Sequence, residues 1–366
     1  MIENINIIIL NIEKALPMNK LLSIASHFKL DSVPDQITFL GRGYINDSYI
    51  LNTVSGVRYI LQKKNSNIFH DVPGMMNNIL KVTNYLRKAK ATDGEDISRR
   101  TLTIMLSEDN LPYYISGEEY WIVCLFIENT ITYQLVTDNR IAREGGRTIG
   151  YFQSLLADFN EELVDTLPGF HNMKHRFQQW DEVLAKDPVG RVKEVSKEIE
   201  WIELRKKEML DFYSLIELGK IPSRVSHNDT KISNILFDAD SNKALCLIDL
   251  DTVLRAPCLY DFGDAVRSYT NTGKEDDRDT ENVSMSMDLY NALKEGYLSQ
   301  ANSFLTNIEK KYLPFSAAYI TYEQVLQFLM DYINGDCYYK IESPDHNLIR
   351  TRAQYRLLLS IEDLLF

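Results

Sequence analysis

The sequence predicts an α+β architecture, a small β-rich lobe followed by a larger, mainly helical one, and three observations support it. Five short β-rich runs and one amphipathic helix dominate the chain up to residue 127. From residue 141 to the end the apolar spacing is helical, interrupted chiefly by a buried strand-like run at 245–248. At 366 residues the chain also exceeds the size at which one core is usual, so 1–127 and 128–366 are expected as separate lobes.

The first lobe opens on an amphipathic segment carrying Leu21, Leu22, Ile24, Ala25 and Phe28. Strands at 37–40 and 49–51 flank a glycine-containing hairpin tip, Gly41-Arg42-Gly43-Tyr44-Ile45-Asn46-Asp47-Ser48. Its backbone N–H groups, around Gly43, Asn46 and Ser48, suit phosphate oxygens. In the next strand, 57–64, Gln62 stands where a phosphate-pairing lysine is expected. Lys63 follows it on the opposite face by alternation, so either residue is a candidate for that contact. Asp71 is expected to cap a helix that begins near Pro73 and buries Met75, Ile79, Val82 and Leu86. That helix holds no acid, so a lysine–glutamate pair of the protein-kinase kind is not assumed. Strands at 101–106 and 120–127 complete the lobe. The second passes through Phe126 and runs out at Glu128, an exit where an adenine would find backbone donors and acceptors.

In the second lobe, Ile149, Phe152, Leu155, Leu156 and Phe159 line one helix face. A break at Pro168-Gly169-Phe170-His171-Asn172 precedes a charged helical hairpin, and His171 stands out there as a candidate substrate contact. The polar, acid-rich stretch 271–288 is expected to be a mobile loop, and 313–333 and 348–366 are the clearest helices.

The chemistry concentrates in Ser226-His227-Asn228-Asp229-Thr230-Lys231-Ile232-Ser233-Asn234, followed by the strand at 245–248 and Asp249-Leu250-Asp251. A hydroxyl attacking a γ-phosphate needs a carboxylate to orient it and take its proton, and oxygen ligands to hold magnesium on the phosphates. Asp229, in a polar turn, suits the first role. Asn234 and Asp249 suit the second, with Asp251 expected on the same face as Asp249, and Lys231 offsets phosphate charge. Each residue alone also fits a hydrated turn after a buried strand; the set, in this order, points to phosphoryl transfer. Asp261-Phe262-Gly263 spells a protein-kinase metal motif but follows no apolar strand, so the metal acid is read as Asp249. Asp264 is expected near a helix start, as a cap or a bond back to the catalytic turn.

Composition narrows the alternatives. A formal charge of −12 argues against a nucleic-acid-coating protein. The run Ile7-Ile8-Ile9-Leu10 is too short to span a bilayer and is flanked by Glu3 and Glu13, so a soluble, cytoplasmic protein without membrane partners is expected. Cys124, Cys246, Cys258 and Cys337 form no C-x-x-C pair and read as buried thiols.

Taken together, these residues resemble the aminoglycoside phosphotransferase and choline kinase superfamily, and within it most closely the N-acetylhexosamine 1-kinases. The resemblance rests on Gly43-Tyr44-Ile45-Asn46-Asp47-Ser48, Leu61-Gln62, Asp71-Val72-Pro73, Phe170-His171-Asn172 and the stretch from His227 to Asn234. It continues through Ile248-Asp249-Leu250-Asp251-Thr252-Val253, Tyr260-Asp261-Phe262-Gly263-Asp264-Ala265-Val266-Arg267, Asp331-Tyr332-Ile333-Asn334-Gly335-Asp336 and Arg350-Thr351-Arg352-Ala353-Gln354. It implies a bilobal protein-kinase-like fold, ATP with Mg²⁺, and transfer to the anomeric hydroxyl of an N-acetylated hexosamine. Asp229 would be the base and would meet the substrate, Asn234 and Asp249 would hold the metal, and Tyr44, Gln327 and Tyr338 would contact the sugar. Histidine is the family's residue at Tyr44 and arginine at Gln327, so the acceptor is less well specified than the chemistry. Other acceptors, namely an amino alcohol, another sugar or an aminoglycoside, remain alternatives, with Glu323, Asp331, Asp336 and Glu342 as acids for a cationic one. A non-catalytic nucleotide-binding protein on a kinase fold is the other alternative.

Overall fold

The computed structural model describes residues 16–42, 45–90 and 97–366. The run at 7–10 and the hairpin residues Gly43 and Tyr44 lie outside the described residues. The chain forms two compact units, one from the residues up to Val72 with Thr103–Phe126, the other from Pro73–Leu102 with Ile127–Phe366.

Among the described residues, the first unit is a six-stranded antiparallel sheet with one helix, α1 (Met18–Ala25). Strands β1 (Pro34–Arg42), β2 (Asp47–Thr53), β3 (Arg58–Lys64) and β6 (Glu119–Leu125) are neighbours in that order, and β4 (Ile104–Met105) and β5 (Tyr114–Ser116) both pair with β6. Alternation decides what each face carries. Tyr49 and Leu51 on β2, Tyr59 and Leu61 on β3, and Trp121 and Val123 on β6 are buried against Leu21, Ile24, Ala25 and Phe28. Each such side chain contributes about 1.5–3 kcal/mol by leaving water. The expected strand at 101–106 shrinks to two residues, and β5 is an additional strand too short to show a period.

The second unit contains α2 (Val72–Lys90), whose buried Met75, Ile79, Val82 and Leu86 follow the helical spacing read from the sequence. Next come β7 (Thr130–Ile131), α3 (Asn139–Leu155), α4 (Met173–Lys186) and α5 (Ser196–Glu217). Three short strands, β7, β9 (Ile235–Asp238) and β10 (Ala244–Leu247), form one sheet, and β8 (Arg224–Ser226) pairs with β11 (Leu254–Ala256). Helices α6 (Cys258–Tyr269), α7 (Met287–Ala301), α8 (Asn307–Ile333) and α9 (His346–Leu365) complete it. Helix α8 begins earlier than expected, at a Thr306/Glu309 capping box, and carries Pro314 in its interior.

Close backbone approach between helices is built on glycine. A Cβ on Gly296 of α7 would lie 2.0 Å from the Arg143 carbonyl oxygen of α3, and one on Gly146 of α3 would lie 2.2 Å from that of Leu293. Gly296→Ala is therefore expected to destabilise the protein by about 1–3 kcal/mol through overpacking. A lowered midpoint in urea unfolding checks this.

Two expectations are corrected. Cys337 is exposed, although Cys246 and Cys258 are buried as expected, and none of the four is in a disulfide. The stretch expected to be a loose loop is fastened. Asn271 bridges to Met285, Glu275 pairs with Arg267 at 2.7 Å, and Arg278 pairs with Asp345 at 3.2 Å. No helix among the described residues is long and apolar enough to cross a membrane.

Candidate active site

The catalytic turn leaves β8 after Ser226 and is held by side chains on three sides. Asn228 takes a left-handed conformation, φ 66°, which costs free energy and needs support. Its Nδ2 donates to the carbonyls of Ser226 (3.2 Å) and Thr252 (2.9 Å), and Thr252 Oγ1 donates to the His227 carbonyl at 2.7 Å. Asp261 of α6 accepts the backbone N–H of His227 at 3.1 Å and of Asn228 at 2.7 Å. His227 Nε2 faces the Ile248 carbonyl at 2.8 Å and so donates, leaving Nδ1 to accept the Asp229 N–H at 3.2 Å.

Asp229 emerges from this frame with about a quarter of its side chain exposed. Its Oδ2 accepts from Lys231 Nζ at 2.7 Å and from Asn234 Nδ2 at 2.9 Å. Asn234 reaches it because residues Ile232–Asn234 form a 3₁₀ turn that folds back, and the same Nδ2 also donates to the Asp229 carbonyl at 2.8 Å. Among the described residues, Oδ1 of Asp229 has no hydrogen-bond donor, and it is the oxygen available to a substrate hydroxyl. Burial works to raise the Asp229 carboxyl, but the Lys231 ammonium outweighs it and holds the group below the usual aspartate range. Burial likewise works against the charge on Lys231, yet Asp229, Asp249 and Asp264 together raise it well above the ordinary lysine value. A charged Lys231 therefore sits among three carboxylates.

Asp249 is brought beside Asn234 by the Ile248 N–H, which donates to the Asn234 carbonyl at 2.9 Å. With Asn234 Nδ2 turned toward Asp229, its amide oxygen is left for another partner. An amide oxygen and a carboxylate are hard donors of the kind Mg²⁺ takes, alongside phosphate and water oxygens. No group of three or more His, Cys, Asp or Glu able to hold a metal occurs among the described residues. The alternation argument for Asp251 fails, because β10 ends at Leu247. Asp249 then adopts a left-handed backbone, φ 59°, and Asp251 lies buried in a 3₁₀ turn, Leu250–Thr252.

The expectation for Asp264 is also corrected. Helix α6 starts at Cys258, so both acids lie inside it. Asp261 is the one that bonds back to the turn, whereas Asp264 pairs with Arg267 at 2.8 Å.

His171 is buried, 4% exposed, with both ring nitrogens engaged. Nδ1 lies 2.6 Å from Glu323 Oε2, and Nε2 lies 3.2 Å from the Asn228 carbonyl. Gln327 lies one turn beyond Glu323 on α8. With its amide turned to suit its neighbours, its oxygen accepts from Arg176 Nη2 at 2.7 Å and its nitrogen donates to Tyr339 Oη at 3.1 Å. Tyr338, half exposed, has its N–H on Asp331 at 2.8 Å. The sequence did not single out Arg176, on α4. It supplies a guanidinium beside Gln327, where arginine was expected on α8 itself.

In the first unit, Gln62 Nε2 donates to Ser48 Oγ at 3.0 Å, and Asn46 accepts the Asn65 N–H at 3.1 Å. Lys63 points to the α1 face, where Glu119 pairs with it at 2.5 Å and with Lys20 at 3.1 Å. The lysine on the Gln62 face is Lys64, buried and donating to Gln62 Oε1. The two-residue period already implied this. Phe126 stacks under Arg58, 4.3 Å from the ring centroid. In the second unit, the Glu128 carbonyl accepts from Arg99 at 3.1 Å.

The fold is that of known kinases. The chain is similar to a microcompartment-associated aminopropanol kinase (TM-score 0.63, 13% identity, 95% of this chain and 97% of that one). It is also similar to a spectinomycin phosphotransferase in complex with ADP and spectinomycin (0.59, 12%, 96% and 99%). A third likeness is to the amicoumacin kinase hAmiN in complex with AMP-PNP, Ca²⁺ and Ami (0.57, 12%, 99% and 96%). Residues 36–284, more than half of the chain, match the family model described as the phosphotransferase enzyme family. The chain belongs to that family, with its protein-kinase-like α+β fold, and is an enzyme that moves a phosphoryl group from ATP, with a divalent metal, to an alcohol.

Proposed function

We propose that the acceptor is a sugar hydroxyl, most specifically the anomeric hydroxyl of an N-acetylhexosamine, giving the sugar 1-phosphate. The observation that carries this reading is the fate of the acids that a cationic acceptor would need. Glu323 is fully buried between His171 and Arg176. Asp331 accepts the N–H groups of Cys337, Tyr338 and Tyr339, at 2.8, 2.8 and 3.0 Å, and Asn347 Nδ2 at 2.9 Å. Asp336 pairs with Arg191 at 2.6 Å. Glu342, the fourth of these acids, is exposed to solvent. This end of α8 offers Arg176, Gln327, Tyr338 and Tyr339, a set of donors and rings that suits a neutral polyol with a carbonyl better than an ammonium.

In this reading Asp229 receives the hydroxyl proton on Oδ1, and Lys231 keeps the carboxylate ionised and faces the transferred phosphoryl charge. Asn234 and Asp249 would hold the metal, which would supply neutralisation of phosphate charge, with Asp251 as a further acid nearby. Gln327 and Tyr338 contact the sugar. Asn46, Ser48 and Gln62 of the first unit, joined by Lys64 rather than Lys63, meet the nucleotide phosphates.

A coupled ADP-release screen over hexoses, N-acetylhexosamines, choline-like alcohols and aminoglycosides tests this. Turnover confined to reducing N-acetylhexosamines and lost on their 1-O-methyl glycosides is expected; turnover of an amino alcohol or aminoglycoside instead would overturn it.

A further inference from the structure

We propose that His171 and Glu323 act as a charged positioning pair for the catalytic turn, Glu323 holding the imidazolium and the imidazolium holding the peptide just before Asp229. The inference rests on Asp229 as the phosphoryl-transfer carboxylate and not on which alcohol accepts the phosphate.

The geometry leaves His171 one protonation state that satisfies it. Nδ1 faces a carboxylate oxygen at 2.6 Å and Nε2 faces the Asn228 carbonyl at 3.2 Å. Both partners are acceptors, so only an imidazole carrying both protons donates to each. Its backbone is fixed independently. His171 has φ 54°, and its own carbonyl accepts from Tyr260 Oη at 3.3 Å and Tyr319 Oη at 3.1 Å. The ring lies against Phe170, centroids 4.1 Å apart, and Tyr260, 5.0 Å. It cannot follow the turn; the turn must come to it.

The charged groups facing this pair are Arg176 from α4, with Glu323 on α8, and the hydroxyls of Tyr260 from α6 and Tyr319 from α8. Arg176 Nε lies 3.1 Å from Glu323 Oε1, so two cations share one buried carboxylate. Burial works to raise Glu323, but His171 and Arg176 together bring it down to about 2. Burial alone would lower His171, and Glu323 raises it above the usual histidine value.

The consequence lies at Asn228. Asp261 Oδ1 takes its N–H at 2.7 Å while His171 takes its C=O, so the two peptide planes flanking a strained φ of 66° are gripped from opposite sides. Releasing one grip lets Asn228 relax and swings Asp229, the next residue. Arg176 also donates to Gln327, so the same carboxylate ties the turn to that part of α8.

The test uses the full chain and phosphate release from Mg·ATP with water as acceptor, so that it does not depend on the sugar reading. His171→Gln is expected to lower kcat about 30-fold, with KM for ATP within about twofold, because a misplaced carboxylate affects the transition state rather than nucleotide binding. Wild-type kcat is expected to fall on an alkaline limb above about pH 6.5, the ordinary histidine value. In Glu323→Gln that limb moves to lower pH, since the imidazolium has lost its counter-charge, and in His171→Gln it disappears. A merely structural role would scale the whole profile without moving the limb. Should the variants fail to fold, the wild-type ¹⁵N spectrum decides: both ring nitrogens of His171 are expected to stay protonated at about pH 6.5, where an ordinary imidazole has lost half its protons. A neutral ring there, an unmoved limb in Glu323→Gln, or undiminished kcat in His171→Gln would each overturn the proposal.

Discussion

Asp229→Asn is expected to lower kcat by about 10³-fold or more while Mg·ATP still binds. The substitution preserves shape but removes the charge that pairs with Lys231 at 2.7 Å and the acceptor for the substrate proton. An amide in that place can orient a hydroxyl weakly and cannot take its proton. Lys231 remains charged, because Asp249 and Asp264 still face it, so the phosphate-side electrostatics survive. Calorimetric titration with a non-hydrolysable ATP analogue and Mg²⁺ should therefore give a dissociation constant within about threefold of wild type while turnover is lost. The acid side of the wild-type pH profile follows from the same contacts. Because the folded carboxyl lies below the usual aspartate range, Asp229 stays ionised down through about pH 5, and no acid limb above that belongs to it. Turnover near wild type in Asp229→Asn would remove the base assignment and leave the His171–Glu323 pair without a purpose.

What the sequence disclosed and what it hid divide along physical lines. Periodic features were legible: the buried stripe of α2, and the alternation that packs Tyr59 and Leu61 against α1. So was the local cluster Asp229, Lys231 and Asn234, because five residues closed by a 3₁₀ turn have few ways to fold. Lys64 was legible and overlooked, since a period of two places it with Gln62. For Asp251 the alternation argument does not hold, because it runs past the end of β10, through an Asp249 whose positive φ ends the strand geometry. His171 and Glu323 stand 152 residues apart on unrelated elements, and no spacing in one sequence joins them. Asp261 was hidden by the metal motif that it spells. Inside α6 its Gly263 has a different use: a Cβ there would lie 2.3 Å from the Ser316 carbonyl of α8, so the glycine lets the helices touch.

That reassignment of Asp261 makes the second large prediction, which is chiefly one of stability. The carboxylate is fully buried, and its two oxygens accept three donors: the N–H groups of His227 (3.1 Å) and Asn228 (2.7 Å), and Gln153 Nε2 at 2.7 Å. Burial pushes the Asp261 carboxyl up while these donors and His227 pull it down, and burial wins. Its place in the first turn of α6 adds a favourable interaction with the helix dipole. Asp261→Ala strands all three donors out of water at about 1–3 kcal/mol each, and partial relaxation keeps the expected loss at the lower end of that sum, about 3–5 kcal/mol. Asp261→Asn should be little better, because its NH₂ would face an N–H donor where an oxygen is needed. A charge-only role would make the two variants alike for another reason, so activity below the unfolding transition separates the cases. If Asp261 positions the turn, residual folded Asp261→Asn still loses kcat, since a frame gripped on one side no longer fixes Asn228 at its positive φ. Urea unfolding paired with low-temperature kinetics reads both quantities. A stable, fully active Asp261→Asn would show that Asp261 is not needed to place Asp229.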